Sequence, residues 1–534
     1  MKYIIGKDRK QTAIFPVSME EAIEAEHEVR VIDLFVDSLD IEKMGFSVDF
    51  GENGRPAYHP KDLLKLYIYG YLNRVRSSRG LEKETKRNIE VIWLMKGLVP
   101  DHNTISNFRR DNPKAIRKVF QATVKIARHF DLIGGKLLAG DSTKLRAQNS
   151  KKNNFNPKKI EQHLEYIEKK LEEYSNVLAS EDQDSLPVAE RESMEKKVEK
   201  HSAQKQKYQS MQRELEESGD TQISTTDPES RQMITRNNIT EVAYNVQTTV
   251  DAKHNIPIDY KVTNENDSKA MGGMVRRTKT ILGHSDFTTL YDKGYHTGSE
   301  FAYAHRQGVE VIVAVPDVAS HAPDQAFDVE QFVYDQASDS YTCPANQTLT
   351  TNGRWYNKSR GKSINKIKQY TTRACKNCEL RALCTNNKGG RMLERSEHAE
   401  LINANKWRHD KQKALYRRRQ AIVEHPYGII KRQWGFNYIM TKKTIKRASA
   451  DVGFIFISYN LRRLLNIIGI EAFRSYLLAF LAKFASFFSS TEPFCRILNF
   501  FARIFPPETS MHKSKIFANL AGYYCNKLIL NGGY

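Results

Sequence analysis

Asp141 ends the apolar run Lys136-Leu-Leu-Ala-Gly, and Asp292 ends Phe287-Thr-Thr-Leu-Tyr. Strands that finish this way present their last side chains to a crevice of an α/β sheet. A carboxylate placed there is costly to bury unless it meets a cation, a hydrogen-bond donor or a metal. Taken singly, each Asp reads as a turn or cap residue, because Ser142-Thr143 and Lys293-Gly294 follow. Glu424 adds a third acid, isolated among Arg417, Arg418, Arg419, Lys431 and Arg432 on a predicted helix with Pro426 just beyond it. Three acids beside so many cations suit phosphodiester chemistry. Two magnesium ions about 3.5–4 Å apart can neutralise charge on phosphorus and activate water or a 3′-hydroxyl. Oxygen ligands suit magnesium, and the nearby Arg and Lys would grip a nucleic-acid backbone.

A second cluster is made of thiols: Cys343, then Cys375-Lys-Asn-Cys378, then Cys384. Four thiolates make the closed tetrahedral shell of a structural zinc, although the gap before Cys384 departs from a strict repeat. Tyr341, Thr342, Tyr370 and Thr371 flank them with strand-forming side chains, which suggests a ribbon. Cys495 and Cys525 read as buried thiols, and His254 and His296 as surface or core residues. No Gly-rich phosphate loop, Ser-His-Asp arrangement or dinucleotide fingerprint accompanies them.

The elements that must position these groups follow from composition and periodicity. Lys and Arg outnumber Asp and Glu by 83 to 63, a net charge of +20, which favours a polyanionic partner, DNA first. A chain of 534 residues exceeds one core and implies several domains. Residues 1–130 read as a helical DNA-binding domain. In it Asp62–Leu72 has helical spacing behind Pro60, and Pro100-Asp101, with a Thr cap, precedes a recognition-like helix carrying Asn103, Arg109 and Arg110. Arg74, Arg76, Arg79, Lys83, Lys86 and Arg87 thicken the basic face.

Residues 131–155 and 226–325 carry strand signals and a crossover helix over 268–283, the two parts of a mixed-sheet core. Between them, residues 156–225 place Ile160, Leu164, Ile167, Leu171, Tyr174 and Leu178 at alternating four- and three-residue steps, a helical hairpin that packs on itself. A Cys-rich insertion over 326–400, final helices over 401–470 and an apolar helical tail over 471–534 complete the α/β chain. The tail is interrupted by charges too often to span a membrane. The start, Met1-Lys-Tyr-Ile-Ile-Gly-Lys, resembles no secretory signal, so a cytoplasmic, nucleoid-associated protein is expected.

Gly140-Asp141-Ser142-Thr143, Asp292-Lys293-Gly294-Tyr295 and Glu424-His425-Pro426-Tyr427-Gly428 with Lys431 resemble the signature blocks of bacterial insertion-sequence DDE transposases. The resemblance implies a ribonuclease-H-like core with the first two Asp on neighbouring strands and the Glu on a later helix. It implies catalysis by Asp141, Asp292 and Glu424 with Mg2+ or Mn2+, and a structural Zn2+ at Cys343, Cys375, Cys378 and Cys384. The implied partners are the element's inverted-repeat ends, target DNA and a second copy of the chain. Expected DNA contacts are Arg74, Arg76, Arg79, Asn103, Arg109, Arg110, Arg418, Arg419, Lys431 and Arg432. In related third blocks a Tyr and an Arg precede the Glu by seven and four positions. Arg417 and Gln420 stand there in this chain, with Tyr416 and Arg419 one residue earlier. A DNA binder derived from a transposase but lacking activity is the competing reading; a host nuclease ranks behind both.

Overall fold

The computed structural model describes residues 18–48, 57–180, 188–235, 239–316, 322–360 and 363–489; Cys495, Cys525 and most of the predicted tail lie outside them. Helices α1 (Glu28–Asp37), α2 (Ile41–Met44), α3 (Pro60–Leu72), α4 (Ser78–Arg87), α5 (Ile89–Leu94), α6 (His102–Asp111) and α7 (Pro113–His129) come first. Pro60 sits where a helix leaves its N–H unbonded, and His59 accepts the N–H of Lys61. α3 is enclosed on every side, so even Lys65 is 1% exposed, its ammonium held by Asp33 at 2.6 Å and Asp37 at 3.0 Å. The recognition-like helix forms as α6, but its cap is Asp101, whose carboxylate accepts the N–H groups of Asn103 at 2.8 Å and Thr104 at 3.1 Å. Thr104 lies inside the helix and donates its hydroxyl to Asp101.

The central sheet contains β1 (Leu137–Arg146), β4 (Arg231–Ile234), β5 (Thr240–Asp251), β6 (Ile256–Thr263), β7 (Thr288–Tyr291) and β8 (Glu310–Val313). β5 runs antiparallel to β1 on one side and to β4 and β6 on the other, while β7 and β8 follow parallel to β1. Side-chain alternation gives the sheet two apolar faces. Leu138, Tyr244, Tyr260 and Tyr291 join the main core beneath α7 and α10 (Met271–Leu282), whereas Ala139, Val250, Leu290 and Ile312 meet Ile422 and Val423 on the other face. That second cover is α14 (Lys413–Tyr427), which follows α11 (Gly298–Arg306) and α13 (Ala399–Lys411). Pro426 supplies no N–H to the last turn of α14, and the chain widens there into a π-helical turn over Gly428–Gln433.

Two insertions leave this frame. The strands β2 (Asn154–Phe155) and β3 (Ile223–Ser224) pair antiparallel and clip the base of a helical arm, α8 (Pro157–Ser180) and α9 (Val188–Ser218). The arm packs on itself as its spacing predicts, with Ile160, Met211 and Leu215 buried beside Phe155. The second insertion is an antiparallel sheet of β9 (Val333–Asp335), β10 (Ser340–Thr342), β11 (Thr348–Thr351), β12 (Tyr356–Arg360), β13 (Ser363–Thr371) and β14 (Leu393–Ser396), with the short α12 (Arg381–Cys384). Its own core is Phe332, Leu349, Tyr370 and Leu393.

The buried helix α15 (Ile445–Ile468) touches α3, α6, α7 and β6 before α16 (Ile470–Ser489). Among the described residues no single helix is long and apolar enough to cross a membrane. Asp451 of α15 is fully buried and accepts Arg76 Nη2 at 2.8 Å, Arg109 Nη1 at 3.4 Å, the Met440 N–H at 2.8 Å and the Tyr71 hydroxyl. Burial alone would raise its pKa, but Arg76 and Arg109 hold the carboxyl below the ordinary range. Arg76 and Arg109, expected from sequence to touch DNA, are 5% and 4% exposed and serve instead to fasten the N-terminal helices to α15. Arg76 also lies 4.4 Å over the Phe436 ring.

Candidate active site

The sheet places Asp141 next to Asp292. Leu138 pairs with Thr289 and Ala139 with Leu290 across β1 and β7, and the same register carried two residues on sets the two Asp side by side. β7 stops at Tyr291, whereas β1 continues through Ser142 and Thr143 to Arg146 because β5 keeps pairing with it, Asp141 opposite Thr248. The turn suggested by Ser142-Thr143 does not form; β-branched Thr143 suits the extended ladder. Gly140 is required between them: a Cβ there would lie 1.9 Å from the buried Tyr291 ring. Asp292 turns the chain out of β7 by accepting the Gly294 N–H at 2.8 Å.

Asp141 accepts the Ser142 N–H at 2.7 Å and has Arg419 Nη1 at 3.6 Å. Burial pushes its pKa up to about 6 against the pull of Arg419, and the charges of Asp292 and Asp267 push the same way. Asp267, in the turn after β6, was not singled out by sequence, since Asn264-Glu-Asn-Asp carries no periodic signal. It accepts Lys144 Nζ at 3.0 Å, Asn245 Nδ2 at 2.8 Å and Gln247 Nε2 at 2.6 Å. Against burial, Lys144 and these donors keep its pKa below the ordinary value, so Asp267 stays ionised beside an acid that holds its proton up to about pH 6.

α14 reaches the two strands with a face one residue out of step with the family pattern. Tyr416 donates to the Tyr291 carbonyl at 3.1 Å, Arg419 reaches Asp141, and the Tyr427 hydroxyl meets Thr248 at 2.5 Å and the Asp141 carbonyl at 3.4 Å. Arg417 and Gln420 point to solvent. Within the π-helical turn, Lys431 donates to Thr143 at 3.1 Å. Glu424 is exposed on the flank of α14, its Oε1 bonded to Gln420 Nε2 at 3.0 Å. Among the described residues, no three Asp, Glu, His or Cys side chains close to ligand spacing, so the structure joins the two Asp and leaves Glu424 outside their group. Arg74, Arg79, Asn103, Arg418 and Arg432 are exposed, as is Arg110, which pairs with Asp111 at 2.6 Å.

Far along the chain, Cys343, Cys375, Cys378 and Cys384 are unbridged and line one cavity of about 30 Å³ with Phe332 and Leu349. Cys343 Sγ accepts the Gln347 N–H at 3.3 Å. Gly390, at φ +89°, lets its backbone pass where a Cβ would sit 2.6 Å from Cys375 Cβ. Burial, with the three other thiols nearby, pushes the Cys384 thiol up.

Two stretches match known families: residues 17–111 match the transposase domain DUF772, and residues 342–465 match a transposase DDE domain. The second match holds Glu424 and the four Cys; Asp141 and Asp292 precede it. No curated protein matches the chain. A piggyBac transposase, solved by cryo-EM in a synaptic complex with hairpin DNA, is similar at 10% identity with a TM-score of 0.27, over 90% of this chain and 86% of that one. The chain thus matches a transposase domain over its N-terminal helices and a transposase DDE domain over its Cys-rich sheet and Glu424 helix, and both matches point to a DNA transposase.

Proposed function

We propose that the protein binds the inverted-repeat ends of its element and performs metal-dependent strand cleavage and transfer at Asp141 and Asp292, with Glu424 as the third acid. The observation that carries this reading is the adjacency of the two Asp at the edge where parallel β7 ends and β1 continues. Their neighbouring strands, with the Glu on a later helix, support a ribonuclease-H-like core. The donor set fits a divalent ion: two carboxylates side by side, one holding its proton to about pH 6 chiefly through burial, with the charges of Asp292 and Asp267 adding to it, a strain that a cation relieves. Mg2+ or Mn2+ there would supply charge neutralisation at the transferring phosphorus and a more acidic nucleophile. Arg419 and Lys431 would leave Asp141 and Thr143 to bind DNA phosphates, while Lys144 keeps Asp267 in place. A homodimer would bring two ends together in the cytoplasm, at the nucleoid.

The test is direct: with Mg2+ and DNA carrying the element's ends, the purified protein should produce breaks at the element boundary. The Arg419–Asp141 contact favours, as a second reading, a binder that no longer cuts; binding with no breaks in Mg2+ or Mn2+ would select it.

Proton and metal compete for Asp141. The raised pKa means the neutral acid persists up to about pH 6, so affinity for Mn2+, read as a thermal shift, should weaken about tenfold per pH unit below 6 and level off above 7. A profile flat from pH 5 to 7.5 would remove Asp141 from the metal site. The four thiols line one cavity without closing to ligand spacing, so a structural zinc in the small sheet would have to draw them together. We expect one zinc per chain by elemental analysis, and at least about a tenfold loss in Cys375→Ser/Cys378→Ser.

A further inference from the structure

The β12–β13 hairpin of the Cys-bearing sheet has a composition the catalytic reading does not use. Residues 352–371 hold Arg354, Lys358, Arg360, Lys362, Lys366 and Lys368 and not one Asp or Glu. Pairing of Asn357 with Lys366 and Ser359 with Ile364 puts Lys366, Ile364 and Lys368 on one face of the hairpin. Trp355, at the root of β12, joins that face: Lys368 Nζ lies 5.1 Å over its ring. Trp355 is 48% exposed and Ile364 67%, in a region where Ile367 is buried and Tyr370 turns inward to the sheet's own core. Lys368 pairs with Asp339 at 2.6 Å and Lys358 with Glu394, so the sheet's own acids fix these two ammonium groups. Arg354 and Lys366 are exposed and meet no acid among the described residues.

Two uncompensated cations, Arg354 and Lys366, on a hairpin that also exposes a flat aromatic and an aliphatic side chain have a natural polyanionic complement. Phosphates take the cations, and the sugar edges pack on the apolar rings. A docking surface for another copy of this basic chain would instead have to bring cations together, which is repulsive. We propose that this hairpin is a second, sequence-independent contact for duplex DNA, gripping the phosphate backbone away from the Asp141–Asp292 centre. It rests on the reading of the protein as a DNA-acting transposase.

The test uses the full chain and an exposed-residue variant, Arg354→Ala/Lys366→Ala, with duplex DNA that lacks the element's ends. Loss of two phosphate contacts should lower the slope of log K against log salt by about 1.8 and weaken binding at low salt. Melting temperature should not move, since neither side chain is buried. An unchanged slope in a variant of unchanged melting temperature overturns the proposal. So does a change in sedimentation with an unchanged slope, which would mark the hairpin as a protein contact. If parent and variant alike failed to bind any duplex, the transposase reading itself would fall; if the parent binds and cuts while the variant matches its slope, only the hairpin contact falls.

Discussion

Asp141→Asn protein is expected to bind end-bearing DNA as the parent does and to cut it at least about a thousandfold more slowly, a loss of roughly 4 kcal/mol in barrier lowering. Asn keeps the shape and the Ser142 N–H can still bond its oxygen, but the group can no longer carry the charge that faces Asp292. Asp292→Asn should fail to the same degree, because the two strands hold the acids as a pair. Folding will not confuse the outcome. A carboxyl whose pKa is raised on folding contributes stability below its unfolded value that is lost as pH rises through about 6, so the Asn protein should melt no lower at neutral pH. Cleavage within tenfold of the parent, measured under single-turnover conditions with Mg2+, would displace Asp141 from the reaction.

The second large effect concerns stability. Asp451→Asn should destabilise the chain by about 3–5 kcal/mol, because it leaves Arg76 and Arg109 buried with no counter-ion. The depressed pKa gives the sign with pH: the stabilisation is complete above the unfolded carboxylate value near 4 and is lost as pH falls through the lower folded value. Urea unfolding at pH 7 and at successively lower pH would show the gap between parent and variant closing in acid. A variant within 1 kcal/mol of the parent at pH 7 would show that the clamp adds little.

What the sequence made legible follows from the range over which each signal acts. Asp141 and Asp292 stood out because an apolar run ending in an acid is a local pattern, and strands grew around both. The mixed α/β character and the self-packing arm were readable for the same reason, through periods of two and three-and-a-half. The extent of β1 was not, since its partner β5 lies a hundred residues on and turns Ser142-Thr143 from a bend into ladder. Nor was the fate of Arg76 and Arg109: on a surface helix they would suit DNA, and only Asp451, brought in from over 340 positions away, draws them inside. Asp267 was invisible because its importance lies in the donors around it, Lys144 from β1 and Asn245 and Gln247 from β5. Glu424 shows the limit for helices: spacing gives its face relative to Tyr416 and Arg419, but not how far that face stands from the strands.

The two-residue ladder between β2 and β3 has an evolutionary corollary. It returns the backbone to within one interstrand spacing of its departure point, about 4.8 Å, before β4 begins. From the viewpoint of the central sheet, everything past that stitch behaves as a tight loop, and further residues added there raise the closure entropy only logarithmically. Descendants of this chain are therefore free to lengthen, trim or exchange the arm wholesale while the register that sets Asp141 against Thr248 stays untouched.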